Sequence, residues 1–446
     1  MNLALFILLF AAAPAGAGEL NVTLKTAEES ALSASNQYKS ALRAAEAAEA
    51  AAEAASSPLY PRLALEGALR YNSEVTEMKI GLIRRPLGDN WNYTFGPSAY
   101  YTLFDGGSLR DVYEAARKNA AARKAEAEQV RRQTVLKTRA AYFKMRLALE
   151  KVYLIGENLQ LALSQLKDME LGVKAGTRSR LDGIRARQET TARRRDLLRA
   201  RSELSSALRE LAFMSGFELN GDVSLPLDAR MAGRDYGGEA AGVFVKADAY
   251  ADMFERMAGA ATLLADPSPP SADALENAAA AFRLSAEAHR AEWQPRLNLW
   301  ARSSLDYPNG PNLYSFLQNS ASLSLALPLF ESGRSEEKRR EGELNAKAAL
   351  ERRDEVLRAA GRDFYEARDA YRALRSEQEL NSAAVAEAEE AARLSYDAYN
   401  TGSGTWLEVE SANLKVLQAK TAAASVSAEI LLKLSLLDSL SAQDGK

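Results

Sequence analysis

Residues 61–71 read PRLALEGALRY, and residues 295–307 read PRLNLWARSSLDY. In the first stretch Leu63, Leu65, Gly67, Leu69 and Tyr71 alternate with Arg62, Ala64, Glu66, Ala68 and Arg70. A period of two sustained over about ten residues gives an extended strand one apolar and one polar face. Residues 91–103 continue the alternation, with Trp91, Tyr93, Phe95, Ala99, Tyr101 and Leu103 set against Asn92, Thr94, Ser98 and Thr102. The second stretch alternates through Leu297, Leu299, Ala301 and Leu305, and its return through Leu317, Ala321, Leu323, Leu325 and Leu327. Each stretch therefore opens a β-hairpin. Tyr71, Trp91, Tyr93, Tyr307 and Tyr314 collect near the turns, where a membrane interface places aromatic rings. A soluble sheet also alternates; the aromatic ends favour strands that face lipid.

The hairpins belong to a longer internal repeat, which outweighs any local signal. TLFDGGSLR from Thr102 is echoed by PLFESGRSE from Pro328, and GTRSRLD from Gly176 by GSGTWLE from Gly402. From Phe104 to Asp182 a constant offset of 226 reaches Phe330, Gly333, Gly402, Leu407 and Glu408. The Pro61 and Pro295 pair is offset by 234, so the second hairpin is shorter. The organisation read from this is a leader at 1–17 and a first repeat at 18–215. That repeat holds an amino-terminal helix near 26–56, a hairpin at 62–104, a long helix at 108–175 and a return helix at 179–215. A Gly- and Pro-bearing connector at 216–271 follows, of unreadable fold. The second repeat, 272–446, has its hairpin at 296–330, long helix at 334–401 and return helix at 405–440.

Each long helix would measure roughly 100 Å at about 1.5 Å per residue. Val152, Ile155, Leu159, Ala162, Leu166, Met169 and Val173 keep a heptad spacing, and Leu197, Ala200, Leu204, Ala207 and Leu211 answer on the return helix. A narrow apolar seam with charge elsewhere is coiled-coil packing. Four strands cannot close a barrel, and lipid tolerates no open sheet edge. Bacterial barrels need about eight strands or more, so several chains must share one: a dimer would bring eight strands and a trimer twelve.

Composition excludes several classes. Lys and Arg number 57 against 60 Asp and Glu, without the basic excess of a nucleic-acid binder. Cysteine is absent, which removes disulfides, thiol catalysis and a lipidated amino-terminal cysteine. His289 is the single histidine, so no metal site is expected. No nucleophile elbow, phosphate loop or zinc-protease motif occurs, and neither an enzyme nor a cofactor is indicated. The apolar run Leu3–Ala13, with Ala15 and Ala17 at a cleavage-site spacing, reads as a secretory signal peptide.

The ordered set of leader, Pro-Arg-Leu strand, Leu-Phe-Asp-Gly-Gly, long helix and Gly-x-x-x-x-Leu-Asp tip, occurring twice, resembles the TolC-type outer-membrane efflux proteins. The resemblance runs from Thr23 to Leu440. It implies an α+β membrane protein, a homotrimer whose chains share a twelve-stranded β-barrel in the outer membrane. A long α-helical coiled-coil barrel continues it through the periplasm. Such channels meet a periplasmic adaptor and an inner-membrane pump, in tripartite efflux or type I secretion, and pass drugs, metals or proteins. The alternative is a secreted coiled-coil structural or adhesion protein without a pore, against which the strand alternation counts. Cargo is not legible.

The family's periplasmic gate maps by resemblance onto the two tips. Tyr399 matches a tyrosine three residues before the second tip glycine, and Asp182 and Glu408 match the acids six residues after each glycine. A further family acid falls at Ser411, with Glu410 beside it, and a family arginine falls at Gly404. Local physics offers a second role for these residues. Ser179 with Asp182 and Thr405 with Glu408 have the spacing of capping boxes, and Gly176 and Gly402 suit a left-handed helix end. The first tip is basic (Lys174, Arg178, Arg180) and the second acidic (Asp397, Glu408, Glu410), so the two are expected to pair. Gly106, Gly107 and Gly333 mark the passage from strand to helix, where a side chain would obstruct the backbone.

Overall fold

The computed structural model describes residues 18–219, 223–234, 243–260 and 267–441; the leader predicted at 1–17 lies outside them. In chain order the first repeat holds β1 (Gly18–Val22), α1 (Leu24–Ala34), α2 (Asn36–Ser56), β2 (Arg62–Tyr71), β3 (Glu77–Ile80), β4 (Ile83–Pro86), β5 (Trp91–Phe104), α3 (Ser108–Lys174) and α4 (Arg180–Ser215). Then come β6 (Leu227–Asp228), β7 (Val243–Ala247), α5 (Tyr250–Ala260), α6 (Pro270–Ala291), β8 (Arg296–Tyr307), β9 (Phe316–Ala326), α7 (Arg334–Thr401) and α8 (Trp406–Leu440). The chain divides into a sheet-bearing unit, Ser40–Glu128 with Pro270–Val356, and a helical unit formed by the other segments.

In the sheet-bearing unit the alternating stretches pair as one antiparallel sheet in the order β2-β5-β8-β9. The register aligns Leu65 with Pro97, Leu69 with Tyr93, Phe95 with Leu305, Leu299 with Leu323 and Leu305 with Leu317. Opposed residues share a face, so the apolar side chains form one continuous surface. That surface is bare: Leu63 is 78 % exposed, Leu65 67 % and Leu323 63 %. The other face carries Arg62, Glu66, Arg70, Asn92, Thr94, Asn298, Arg302, Ser320 and Ser322. Tyr71 meets Trp91 at 5.1 Å, and Tyr93 stacks on Tyr307 at 5.2 Å, at the loop ends of the strands. Gly96 is required where it stands, because a Cβ there would lie 2.0 Å from the carbonyl oxygen of Ser303. The first hairpin carries an addition that the alternation did not reveal, the small hairpin β3–β4 turning at Gly81 and Leu82. Alanine and glycine allow α6 and α7 to approach closely: a Cβ at Gly342 would meet that of Ala286 at 2.9 Å.

In the helical unit the heptad residues are the core. Val152, Leu159, Leu204 and Leu211 are buried with Ala200 and Ala207, joined by Ile430, Leu431 and Leu434 of α8. Arg139 on α3 ties Glu28 of α1 (2.7 Å) to Asp438 of α8 (2.5 Å). None of the described helices is long and apolar enough to cross a membrane.

One expectation is corrected here. The amino-terminal helix is broken, because Ser35 takes an extended conformation, ending α1 and accepting from Tyr38 N. The described part of the connector, whose fold the sequence left unread, adds a small sheet. β1 and β6 flank β7 in a parallel sheet that aligns Leu20 with Val245 and Leu227 with Phe244. Arg230, held locally by Asp228, fastens the segment to α3 through Glu150, with its guanidinium 3.8 Å from the Tyr153 ring centroid. The order β7-α5-α6 restates β1-α1-α2, with α1 and α5 each 11 residues long.

Candidate functional site

Both tips end their long helices with the same backbone bonds. Gly176 N donates to Val173 O and Thr177 N to Gly172 O; Gly402 N donates to Tyr399 O and Ser403 N to Ala398 O. These are paired Schellman closures, satisfying carbonyls that a helix end leaves open. The glycines have φ of +73° and +80°, a region that a Cβ disfavours. Hydroxyls reinforce both, Thr177 Oγ1 to Gly172 O and Ser403 Oγ to Ala398 O. Gly404 N adds a bond to Ala398 O, and a Cβ at Gly404 would stand 3.2 Å from Tyr399 N.

The restarts differ. At the second tip Thr405 Oγ1 accepts from Glu408 N while Glu408 Oε2 accepts from Thr405 N, a full capping box. At the first, Ser179 Oγ accepts from Leu181 N, and Asp182 lies 4.0 Å from Arg185 instead of reaching back to the cap. The first capping box is therefore not formed: a cap bonded to the second helical N–H leaves the acid free to turn along its own helix.

The two tips touch through Arg178. Its Nη1 donates to Tyr399 O at 3.0 Å and its Nη2 to Asn400 Oδ1 at 3.1 Å, with the guanidinium 4.3 Å from the Tyr399 ring centroid. Within the chain the basic tip meets a carbonyl, an amide and a ring, because Glu408 is engaged as a cap and Asp397 pairs with Arg393 at 3.3 Å. Arg178 reaches across because residue 172 is glycine; a Cβ there would lie 2.4 Å from Arg178 Cγ. Arg180 is exposed and Glu410 half-buried.

Beneath this contact lies a small core. Tyr399 packs edge-on to Trp406 at 5.3 Å and its hydroxyl reaches Met169 Sδ at 3.3 Å, with Ala186 and Val409 also buried. Burial raises the Tyr399 pKa; Arg178 opposes the rise. One turn farther along, Glu189 is 4 % exposed and Asn413 bonds Gln165 at 3.2 Å. Glu189 sits 4.0 Å from Arg193. Burial, then the charge of Glu410, lifts its pKa above the usual carboxylate value, with Arg193 opposing. The residue reading missed Trp406, Gly172, Asn400 and this polar cluster. A large aromatic directly after a cap was the one visible signal.

At the opposite ends of the long helices, Gly106 and Gly107 have φ of +73° and +91° and Gly333 +79°. Asp105 caps α3 through Gly107 N and Leu109 N. Among the described residues no group of His, Asp and Glu is arranged to hold a metal ion.

Helix pairs joined to amphipathic strands, twice over, define a class of membrane channel, and solved structures share the fold along nearly its whole length. Among them are a membrane protein from Pseudomonas aeruginosa (19 % identity, TM-score 0.69, 94 % of this chain and 93 % of that one) and the outer membrane protein VceC from Vibrio cholerae (19 %, 0.67, 94 % and 95 %). The open state of the MtrE outer membrane channel of Neisseria gonorrhoeae is similar (20 %, 0.67, 94 % and 88 %). No curated protein sequence matches at a significant level. The family model for outer membrane efflux proteins matches residues 28–216 and 270–442, and the chain belongs to that family. It is accordingly a channel protein and not an enzyme.

Proposed function

We propose that three copies of this chain close their sheets into one twelve-stranded barrel in the outer membrane, continued by the helices as a periplasmic duct. The observation that carries this is the sheet. Its apolar face is bare, its opposite face is polar, and β2 and β9 are each paired on one side alone among the described residues. Water penalises the face and lipid forbids the edges, so lipid and a neighbouring copy together satisfy both. The leader at 1–17 would deliver the chain.

The duct is passive. A periplasmic adaptor and an inner-membrane pump would supply energy and choice of cargo, small molecules or proteins. The tips would form the gate, with Arg178 and Asp182 on one side of the contact and Tyr399, Glu408 and Glu410 on the other; Arg180 stands exposed for a partner. Purified protein should run as a heat-modifiable trimer on a gel and pass ions across a planar bilayer. A soluble, monomeric, non-conducting product would defeat this reading.

A further inference from the structure

On the polar face of the sheet, where strands give way to helices, Tyr60, Arg62, Tyr100, Asp105, Arg296 and Asn298 line a cleft of about 580 Å³. Arg62 stands directly opposite Tyr100 on the neighbouring strand, and Tyr100 opposite Trp300, so the three share one face. Tyr60 is 68 % exposed and Tyr100 45 %. Neither Arg62 nor Arg296 has an ion-pair or hydrogen-bond partner among the described residues, whereas most arginines of the long helices are paired to neighbouring acids. The one acid of the cleft, Asp105, turns its oxygens to Gly107 N and Leu109 N as the cap of α3. Asn298 is engaged by Thr102 at 3.1 Å.

We infer that this cleft is a contact site for anionic aromatic solutes. The two guanidiniums keep their N–H groups unbonded, while the acids around them are committed elsewhere: Asp105 caps α3, and Glu331, which feels the charge of Arg296, is held by Ser335 and Arg334. A planar guanidinium binds a carboxylate or sulfonate through two parallel N–H bonds. The neighbouring tyrosine rings offer faces for an aromatic body, which packs offset or edge-on. A cleft of this size accepts a one- or two-ring molecule. An aliphatic anion would lose the stacking, and an aromatic cation would meet like charge. The site is open on one side, as suits a solute held briefly and released. Its position in a conducting path rests on the channel reading above; the binding itself does not.

The test uses the full mature chain in detergent and isothermal titration with 1-naphthoate and its uncharged analogue 1-naphthamide. Naphthoate should bind and naphthamide should bind about tenfold more weakly or worse, as loss of a charge-assisted pair predicts. Arg62→Ala with Arg296→Ala should weaken naphthoate by a similar factor, and Arg62→Lys with Arg296→Lys by less. Equal binding of acid and amide, no heat with naphthoate, or an unchanged affinity in the double alanine variant would overturn the inference. The acid-to-amide comparison needs no variant, so misfolding cannot blur it. Should the channel reading alone fail, conductance is absent while naphthoate still binds.

Discussion

Trp406 shows how a few atoms hold a helix end that has little else to grip. Its ring is buried against Tyr399, Met169, Ala186 and Val409, and Arg178 covers the outer face of Tyr399. Truncation to alanine removes a large buried ring from a site with few neighbours to collapse inward, at about 3–5 kcal/mol. The loss should be local: amide exchange near residues 166–186 and 396–413 should quicken in Trp406→Ala while the sheet-bearing unit keeps its protection. Unchanged exchange at the tips would show that the aromatic core does not hold them. Glu189 invites a different measurement. Its folded pKa is raised, so the native state holds a proton that the unfolded chain has already released. Stability is then lost as pH climbs from the unfolded value toward the folded one, and the loss persists above both. Glu189→Gln should therefore raise the melting temperature at pH 7, with the advantage shrinking as pH falls below the ordinary carboxylate range. An equal gain at every pH would mean that packing, not ionisation, sets the effect.

At the scale of elements, the two tips are a natural comparison, with matching closures and different restarts. Thr405→Ala removes one half of a reciprocal box and should cost about 1 kcal/mol, with fraying of α8. Ser179→Ala removes a single cap bond and should cost less. Chemical denaturation of the two variants checks the order, and the reverse order would show that the box adds nothing. Elements also mark where sequence reading succeeds. The strands and the coiled-coil seam were legible because alternation and heptads are local, repeated and long. The left-handed turns were legible from Gly176 and Gly402. β1 was not: five residues cannot announce a parallel partner at residues 243–247. Nor was the break at Ser35, since an Ala- and Glu-rich tract disguises a one-residue change of direction. The Arg178–Tyr399 contact joins positions 221 apart, and no spacing rule links them. The capping box at Ser179 failed for a subtler reason, because the same residues permit two bonding patterns and spacing does not choose between them.

For the whole molecule the decisive property is which face of the sheet meets lipid. Leu323 and Ser322 are neighbours on β9 with opposite facings. Leu323→Arg should cost about 2 kcal/mol or more of membrane-embedded stability, whereas Ser322→Arg should cost little. Urea titration of protein folded into vesicles measures both, and equal costs would remove the lipid assignment of the apolar face.

Gly107 and Gly176 are 69 residues apart, and so are Gly333 and Gly402. That equality matches the two helices in length, since a helix advances about 1.5 Å with each residue and turns about 100°. The two long helices therefore act as matched rulers. An insertion tolerated in one must be answered by the same insertion in the other, in steps that preserve the heptad. Lineages that lengthen or shorten this protein should show changes in pairs, and a single unmatched insertion should pull the tips out of step while leaving each helix intact.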